Sequence, residues 1–259
     1  MQAPHDTADL TLLTAAARAA GPIALRYWRQ SPMAWEKPDG TGPVTEADIA
    51  VNDMLAALLR PARPGYGWLS EETPDTPARR TAAFTFILDP IDGTRAFMAG
   101  EEHFAHSIAI AHHGKITAAA VYLPALDRLY AASAATPATC NGEPIRCSTA
   151  PFANATLLAS RPALAPELWR AAPPVRRHFR ASLAYRLCLI AEGAFDAMLT
   201  LRPTWEWDVA AGDLIARQAG ATVSNRLGAP LSYNHPDPRA AGVIAAGPAV
   251  HQGLLAGLA

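Results

Sequence analysis

Two aspartates, Asp89 and Asp92, stand three residues apart in "FILDPIDGTRAF" (86–97), directly behind an apolar run with the composition of a buried strand. Proline fixes its own φ and has no N–H to give a ladder, so Pro90 is expected to stop the strand and turn both carboxylates toward one point. Two anions held so close repel each other unless a cation lies between them. Gly93 and Thr94 come next, and the pattern predicts that they open a helix whose free N–H groups suit an anion such as phosphate. Carboxylate and carbonyl oxygens favour a hard cation, magnesium above the transition metals.

The elements that must position this turn are legible as patterns. Residues 8–29 carry apolar side chains at helical spacing, with Gly21 and Pro22 expected to kink or restart the helix. Thr45 and Asp48 stand as a capping box, with Asp in place of Glu, before an apolar run that Pro61 should end. "YGWLS" (66–70) and "AFTFIL" (83–88) read as short buried strands on either side of a polar loop. From Phe104 onward, strand-length apolar pieces broken at "HHGK" and "PALD" predict an antiparallel meander. "TLLAS", "VRRHF" and "FDAMLT" are further strands, with "SLAYRLCLIAEG" a helix ending at Gly193. "DVAAGDLIARQAG" is an amphipathic helix ending at Gly220, and "ATVS", "AGVIAAG" and a terminal helix complete the chain. Helices first, then a mostly antiparallel sheet, then alternating strands and helices imply layered α+β architecture and not a doubly wound parallel sheet. A lobe boundary is expected near residue 145, with residues 1–145 and 146–259 forming one catalytic unit.

The chain has 259 residues, 50% of them hydrophobic, and 22 Lys+Arg against 23 Asp+Glu give a net charge of −1. That balance offers no electrostatic case for holding a nucleic-acid polymer or an anionic membrane, so an acidic ligand must be held locally. The start lacks a signal-peptide pattern and no window is long and apolar enough for a membrane span, which reads as a cytoplasmic protein. Cys140, Cys147 and Cys188 lack CxxC spacing and are expected to be small buried hydrophobes, not a disulfide framework or a zinc site.

"DPIDGTRAF" resembles the metal-binding signature of the inositol monophosphatase superfamily, and "PVTEAD" (43–48), "WLSEET" (68–73) and "WEWDVAAGDLIARQAG" (205–220) agree with it in order and spacing. The resemblance spans nearly the whole chain and implies an αβαβα sandwich. It implies that Glu71, Asp89, the main-chain carbonyl of Ile91, Asp92 and Asp208 hold two or three magnesium ions. Gly93 and Thr94 would bind phosphate, Asp48, Glu71 and Thr94 would serve catalysis by orienting or deprotonating the attacking water, and Glu72 would support this shell. Two such ions about 3.5–4 Å apart stabilise both the attacking and leaving oxygens of an in-line displacement, and phosphoryl transfer needs no nucleophilic side chain.

Within that superfamily, inositol monophosphatases typically place a glutamate seven residues before the late metal aspartate. Here that position is Leu201, with Arg202 beside it. "PTWEWDVAAG" and "AYRLCLIAEG" look more like bacterial 3'(2'),5'-bisphosphate nucleotidases, in which Arg186 would match a basic residue near the nucleotide. Arg176, Arg177, Arg180 and Arg186 share one short segment, suited to a second phosphate or to a solvated basic face. The resemblance therefore implies removal of the 3'-phosphate from adenosine 3',5'-bisphosphate in sulfate assimilation, with lithium inhibition, by a monomer or homodimer. Inositol 1-phosphate and histidinol phosphate are the alternative substrates.

Simpler readings stand beside these. Asp208 alone would be a helix N-cap, Thr45 and Asp48 a cap only, Glu71 and Glu72 a solvated loop, and Trp205 and Trp207 packing residues, one of them able to line a pocket. His103, His106, His112 and His113 lack HxxxH spacing and are not expected to bind metal. A haloacid-dehalogenase D-x-D-G-T motif fails because Pro90 lies two residues before Asp92. A non-catalytic divalent-cation module is the reading from another class, and the adjoining anion site at Gly93 and Thr94 argues against it.

Overall fold

The computed structural model describes residues 3–38, 40 and 42–259, with side chains from residue 7 onward. The chain opens with helix α1 (Ala3–Tyr27), a hairpin of β1 (Ala34–Glu36) and β2 (Pro43–Thr45), and helix α2 (Glu46–Ala62). Strands β3 (Gly67–Ser70) and β4 (Phe84–Asp92), the short helix α3 (Thr94–Met98) and strands β5 (Ala105–His112), β6 (Lys115–Leu123), β7 (Arg128–Ser133), β8 (Thr136–Cys140) and β9 (Glu143–Pro144) follow. These seven strands form one sheet in sequential order, parallel only at β3–β4. The meander read from Phe104 onward is therefore present.

The second half holds β10 (Ala155–Ala159), β11 (Val175–His178), helix α4 (Leu183–Ala191), β12 (Ala197–Thr200), β13 (Thr204–Trp205), helix α5 (Glu206–Gln218), β14 (Thr222–Ser224), β15 (Arg239–Ala240), β16 (Val243–Ala246) and helix α6 (Pro248–Gly257). Five of these strands make a second sheet in the order β11-β10-β12-β16-β14.

Strand periodicity builds the layers, because successive side chains point to opposite faces. On β4, Phe86 and Leu88 join Leu13, Ala16, Ala17 and Ala20 of α1 and Val51 and Leu55 of α2 in one core, while Ile87 faces the other way. Ile87 shares its core with Leu187 and Cys188 of α4, Ala211 and Ile215 of α5, and Met198 and Val243 of the second sheet. A third core packs Leu199 and Ile244 against Val250 and Leu254 of α6. The result is a five-layer αβαβα stack with α4 and α5 between the sheets.

Three local expectations are corrected. Helix α1 runs unbroken through Pro22, because its small buried face of Ala16, Ala17, Ala20 and Ala24 on the sheet outweighs one missing N–H. Helix α2 continues one residue past Pro61, which sits in its last turn and is exposed. Cys188 is buried, but Cys140 and Cys147 are only half-buried. No helix among the described residues is long and apolar enough to cross a membrane.

Candidate active site

The paired aspartates sit on a β-bulge. Asp89 pairs with Ser107 and Asp92 with Ala105, so Pro90 and Ile91 together oppose the single residue His106. Strand β4 thus continues to Asp92 with its ladder interrupted, where the sequence suggested that Pro90 would stop it. An extra residue in one strand kinks it and redirects side chains. Buried His106 fastens this kink: its Nδ1 lies 2.5 Å from the Pro90 carbonyl. A carbonyl only accepts, so Nδ1 carries the proton, and burial holds the ring neutral by lowering its pKa to about 4. The histidine is a structural donor here.

Across the parallel β3–β4 pair, Ser70 stands opposite Leu88, and the Glu71 amide donates to the Leu88 carbonyl at 3.2 Å. That register brings Glu71 beside Asp89. Asp208 arrives from the first turn of α5, whose N-cap is Trp205, so Asp208 is not the cap. Two contacts seat this turn: Ser107 Oγ donates to the Trp207 carbonyl at 3.0 Å, and Glu206 accepts from the amides of Asn234 and His235 at 2.7 and 3.1 Å. Gly212, one helical turn further on, lets α5 lie directly against α4, since a Cβ there would stand 2.5 Å from Leu187 Cβ.

Glu71, Asp89 and Asp208 each offer a carboxylate oxygen within 4.8 Å of the others. Asp92 lines the same cleft, but its Oδ2 is taken by the Ser182 hydroxyl and the Ala184 amide, both at 2.6 Å. Ser182 is the N-cap of α4, its Oγ accepting from the Tyr185 amide at 2.9 Å. Asp92 therefore ties the first sheet to the α4 N-terminus while also lining the cleft.

Charge repulsion and burial act together here. Loss of water raises the Asp89 and Asp208 carboxyls well above the usual range, and their acidic neighbours raise them further. Burial pushes Asp92 up to about 6, opposed by the Ser182 and Ala184 hydrogen bonds. Lys37, in the turn of the β1–β2 hairpin, puts its Nζ 2.6 Å from Glu71 and 2.8 Å from Glu72. Burial, with help from Glu71, nevertheless moves Glu72 to about 7. A set of hard oxygen donors that is costly to ionise fits magnesium, which would lift that cost and prefers such ligands.

Asp48, in the first turn of α2, meets Thr94, which opens α3. Thr45 Oγ1 accepts from the Ala47 and Asp48 amides, and Asp48 Oδ2 accepts from the Thr45 amide and hydroxyl at 2.8 and 2.5 Å, completing the expected capping box. Asp48 Oδ1 is left 3.4 Å from Thr94 Oγ1, which is also 3.2 Å from the Ile91 carbonyl. Burial lifts Asp48 to about 6, against the pull of the Thr45 bonds. Gly93 has φ +98°, and a side chain there would press on the His103 carbonyl at 3.2 Å. Only glycine makes this turn without strain.

Glu71, Asp89, Asp92, Gly93, Thr94 and Asp208 line one cleft of about 1090 Å³. Its wall includes Arg186, 6% exposed, whose Nε donates to the Arg180 carbonyl at 2.6 Å. Burial lowers the Arg186 guanidinium to about 10, and Asp92 opposes the shift. Arg180 also lines the cleft, while Arg176 and Arg177 lie on β11 bonded to the carbonyls of Asn154 and Ala159. Trp205 lines the cleft as well. Lys37 and Ser182 carried no sequence signal, being a lone lysine in a loop and one serine among several.

A family model described as the inositol monophosphatase family matches residues 6–259. The 3'(2'),5'-bisphosphate nucleotidase CysQ of Escherichia coli is 31% identical over 226 residues, covering 84% of this chain and 90% of that protein. The Nus factor SuhB of Salmonella typhimurium is 29% identical over 264 residues, covering 96% and 95%. The crystal structure of the extragenic suppressor protein suhB from Bartonella henselae superposes with a TM-score of 0.84 at 28% identity, covering 96% of this chain and 97% of that one.

Proposed function

The chain belongs to the inositol monophosphatase family and is a phosphatase, a hydrolase of phosphoric monoesters; from that premise, we propose that it removes the 3'-phosphate of adenosine 3',5'-bisphosphate. Members of the family are generally magnesium-dependent, and the acidic cluster is suited to that ion. In this reading Glu71, Asp89, Asp92, Asp208 and the Ile91 carbonyl hold two or three magnesium ions. Bound there, the ions supply charge neutralisation for the phosphate and acidify water.

The chain's own groups do the rest. Thr94 has one hydroxyl proton and two acceptors in reach, Asp48 Oδ1 and the Ile91 carbonyl. When that carbonyl is engaged, the proton points to Asp48, and Thr94 Oγ1 can accept from the attacking water. With its pKa near 6, Asp48 is mostly ionised at neutral pH and is suited to draw that proton. The amides of Gly93 and Thr94 receive the phosphate. Residues 1–145 supply most of these groups and residues 146–259 supply Asp208 and the substrate wall, so the two lobes act as one unit.

The observation that carries the nucleotide reading is Arg186, a buried arginine in the cleft wall beside Asp92, with apolar Leu201 in place of a polyol-binding carboxylate. A dehydrated guanidinium is costly unless an anion meets it, and a second substrate phosphate does so through paired hydrogen bonds. Similarity to the nucleotidase CysQ supports the same substrate. The reading includes a cytoplasmic enzyme of sulfate assimilation, a monomer or homodimer, inhibited by lithium. The test compares turnover of adenosine 3',5'-bisphosphate, inositol 1-phosphate and histidinol phosphate in one magnesium buffer, with Arg186→Ala as the control. The nucleotide should be preferred, and Arg186→Ala should raise its KM; preference for inositol 1-phosphate, or an unchanged KM, overturns the assignment.

A further inference from the structure

Three rings line the cleft: His103, Phe179 and Trp205. Trp205 is already stacked on Trp207, with centroids 4.6 Å apart and planes within 10°, and the Arg239 guanidinium lies 5.3 Å from its centroid. His103 stacks on Tyr185 at 5.7 Å. Phe179 differs from both. Among the described ring contacts it has only the Arg186 guanidinium, 4.6 Å from its centroid, and 50% of the residue is exposed to the cleft and solvent.

An exposed phenylalanine is unremarkable by itself, but this one is braced. Arg186 is held by the Arg180 carbonyl at 2.6 Å and the Ala181 carbonyl at 3.5 Å, so its position is set by backbone. A guanidinium can offer its plane to a ring and its edge to an anion at the same time. Phe179 therefore presents a supported π face next to the group that would meet a second phosphate. Leu168 and Leu201 in the same wall offer no partner to a polyol's hydroxyls.

We propose that Phe179 is the stacking platform for the planar base of the substrate, braced by Arg186, and that it sets the preference for nucleotides over polyol phosphates. A base has a π face to lay on the ring, and an inositol ring has none. This rests on the nucleotidase reading above. It assigns to one exposed side chain the discrimination that the metal cluster, common to all phosphate esters, cannot provide.

The experiment measures kcat/KM for adenosine 3',5'-bisphosphate and for glycerol 2-phosphate in the wild type, Phe179→Leu and Phe179→Trp, with thermal midpoints confirming that each variant is folded. Base stacking predicts that the nucleotide-to-glycerol ratio falls about 5- to 150-fold in Phe179→Leu, mainly through KM, and is restored in Phe179→Trp. Calorimetric affinity for AMP should fall by the same factor. An unchanged ratio, an equal loss on both substrates, or a failure of tryptophan to restore it overturns the proposal. A wild type that prefers inositol 1-phosphate is a separate result: it overturns the nucleotidase reading before any variant is made, and this inference with it.

Discussion

Replacing Ser182 by alanine tests how the first sheet is joined to α4 at the site. The hydroxyl has two jobs: it donates to Asp92 Oδ2 at 2.6 Å and accepts from the Tyr185 amide at 2.9 Å, and the residue is fully buried. Losing an N-cap costs ~1 kcal/mol, and losing a hydrogen bond to an ionised group costs ~1.5–3 kcal/mol. The Ala184 amide remains on Asp92, so part of its support survives. The sum is ~2–4 kcal/mol, to be read as the difference in urea unfolding free energy at pH 8 with magnesium chelated. A thermal midpoint lower by roughly 5–10 °C should accompany it. One bond that lowers the Asp92 pKa is removed, so its carboxyl should rise further above about 6. The acidic limb of the magnesium-dependent rate should then move to higher pH. A destabilisation below ~0.5 kcal/mol with an unmoved acidic limb would refute the claim that Ser182 anchors Asp92.

Other outcomes follow from the same structure. Asp208→Asn should raise the thermal midpoint of the metal-free protein at pH 7.5, because it removes a repulsive charge from the acidic cluster, while abolishing the gain on adding magnesium and cutting kcat by about 100-fold or more. Asp48 and Asp92 near 6 and Glu72 near 7 lie above their unfolded values, so the folded chain binds more protons between about pH 4 and 7. Stability from these groups is therefore full at the low end and lost as pH rises through the folded values. Asp75 and Asp196, held low by Arg79 and by Ser148 and Thr156, act the other way below about pH 4. Metal-free thermal scans should fall from pH 5 to 7.5, and the magnesium-induced gain should grow over that range; an equal gain at both ends would contradict this. Gly212→Ala should cost about 1–3 kcal/mol in urea unfolding by overpacking Leu187, and Leu187→Ala in the same chain should recover part of it.

Part of the site was legible because Asp48, Asp89 and Asp92 sit on local signals, whereas Glu71 and Asp208 entered only through the family resemblance. Asp89 and Asp92 bracket a proline behind an apolar strand, and Asp48 belongs to a capping box. What brings them together is long-range: the parallel register of β3 on β4, the bulge opposite His106, and α5 lying on α4 through Gly212. None of these has a sequence period. Lys37 escaped because the three-residue strands flanking its turn are too short to show alternation. The continuity of α1 through Pro22 was hidden for a related reason, since its support comes from alanines buried on a sheet formed much later in the chain.

The central claim is that Glu71, Asp89 and Asp208, drawn from three separate elements, share divalent ions. Crystals soaked in manganese and measured at its absorption edge test it directly, because manganese takes the same oxygen ligands as magnesium. The account predicts an anomalous peak in contact with Asp89 that also touches Glu71 or Asp208. Crystals saturated with manganese that show no peak among these three carboxylates would contradict it.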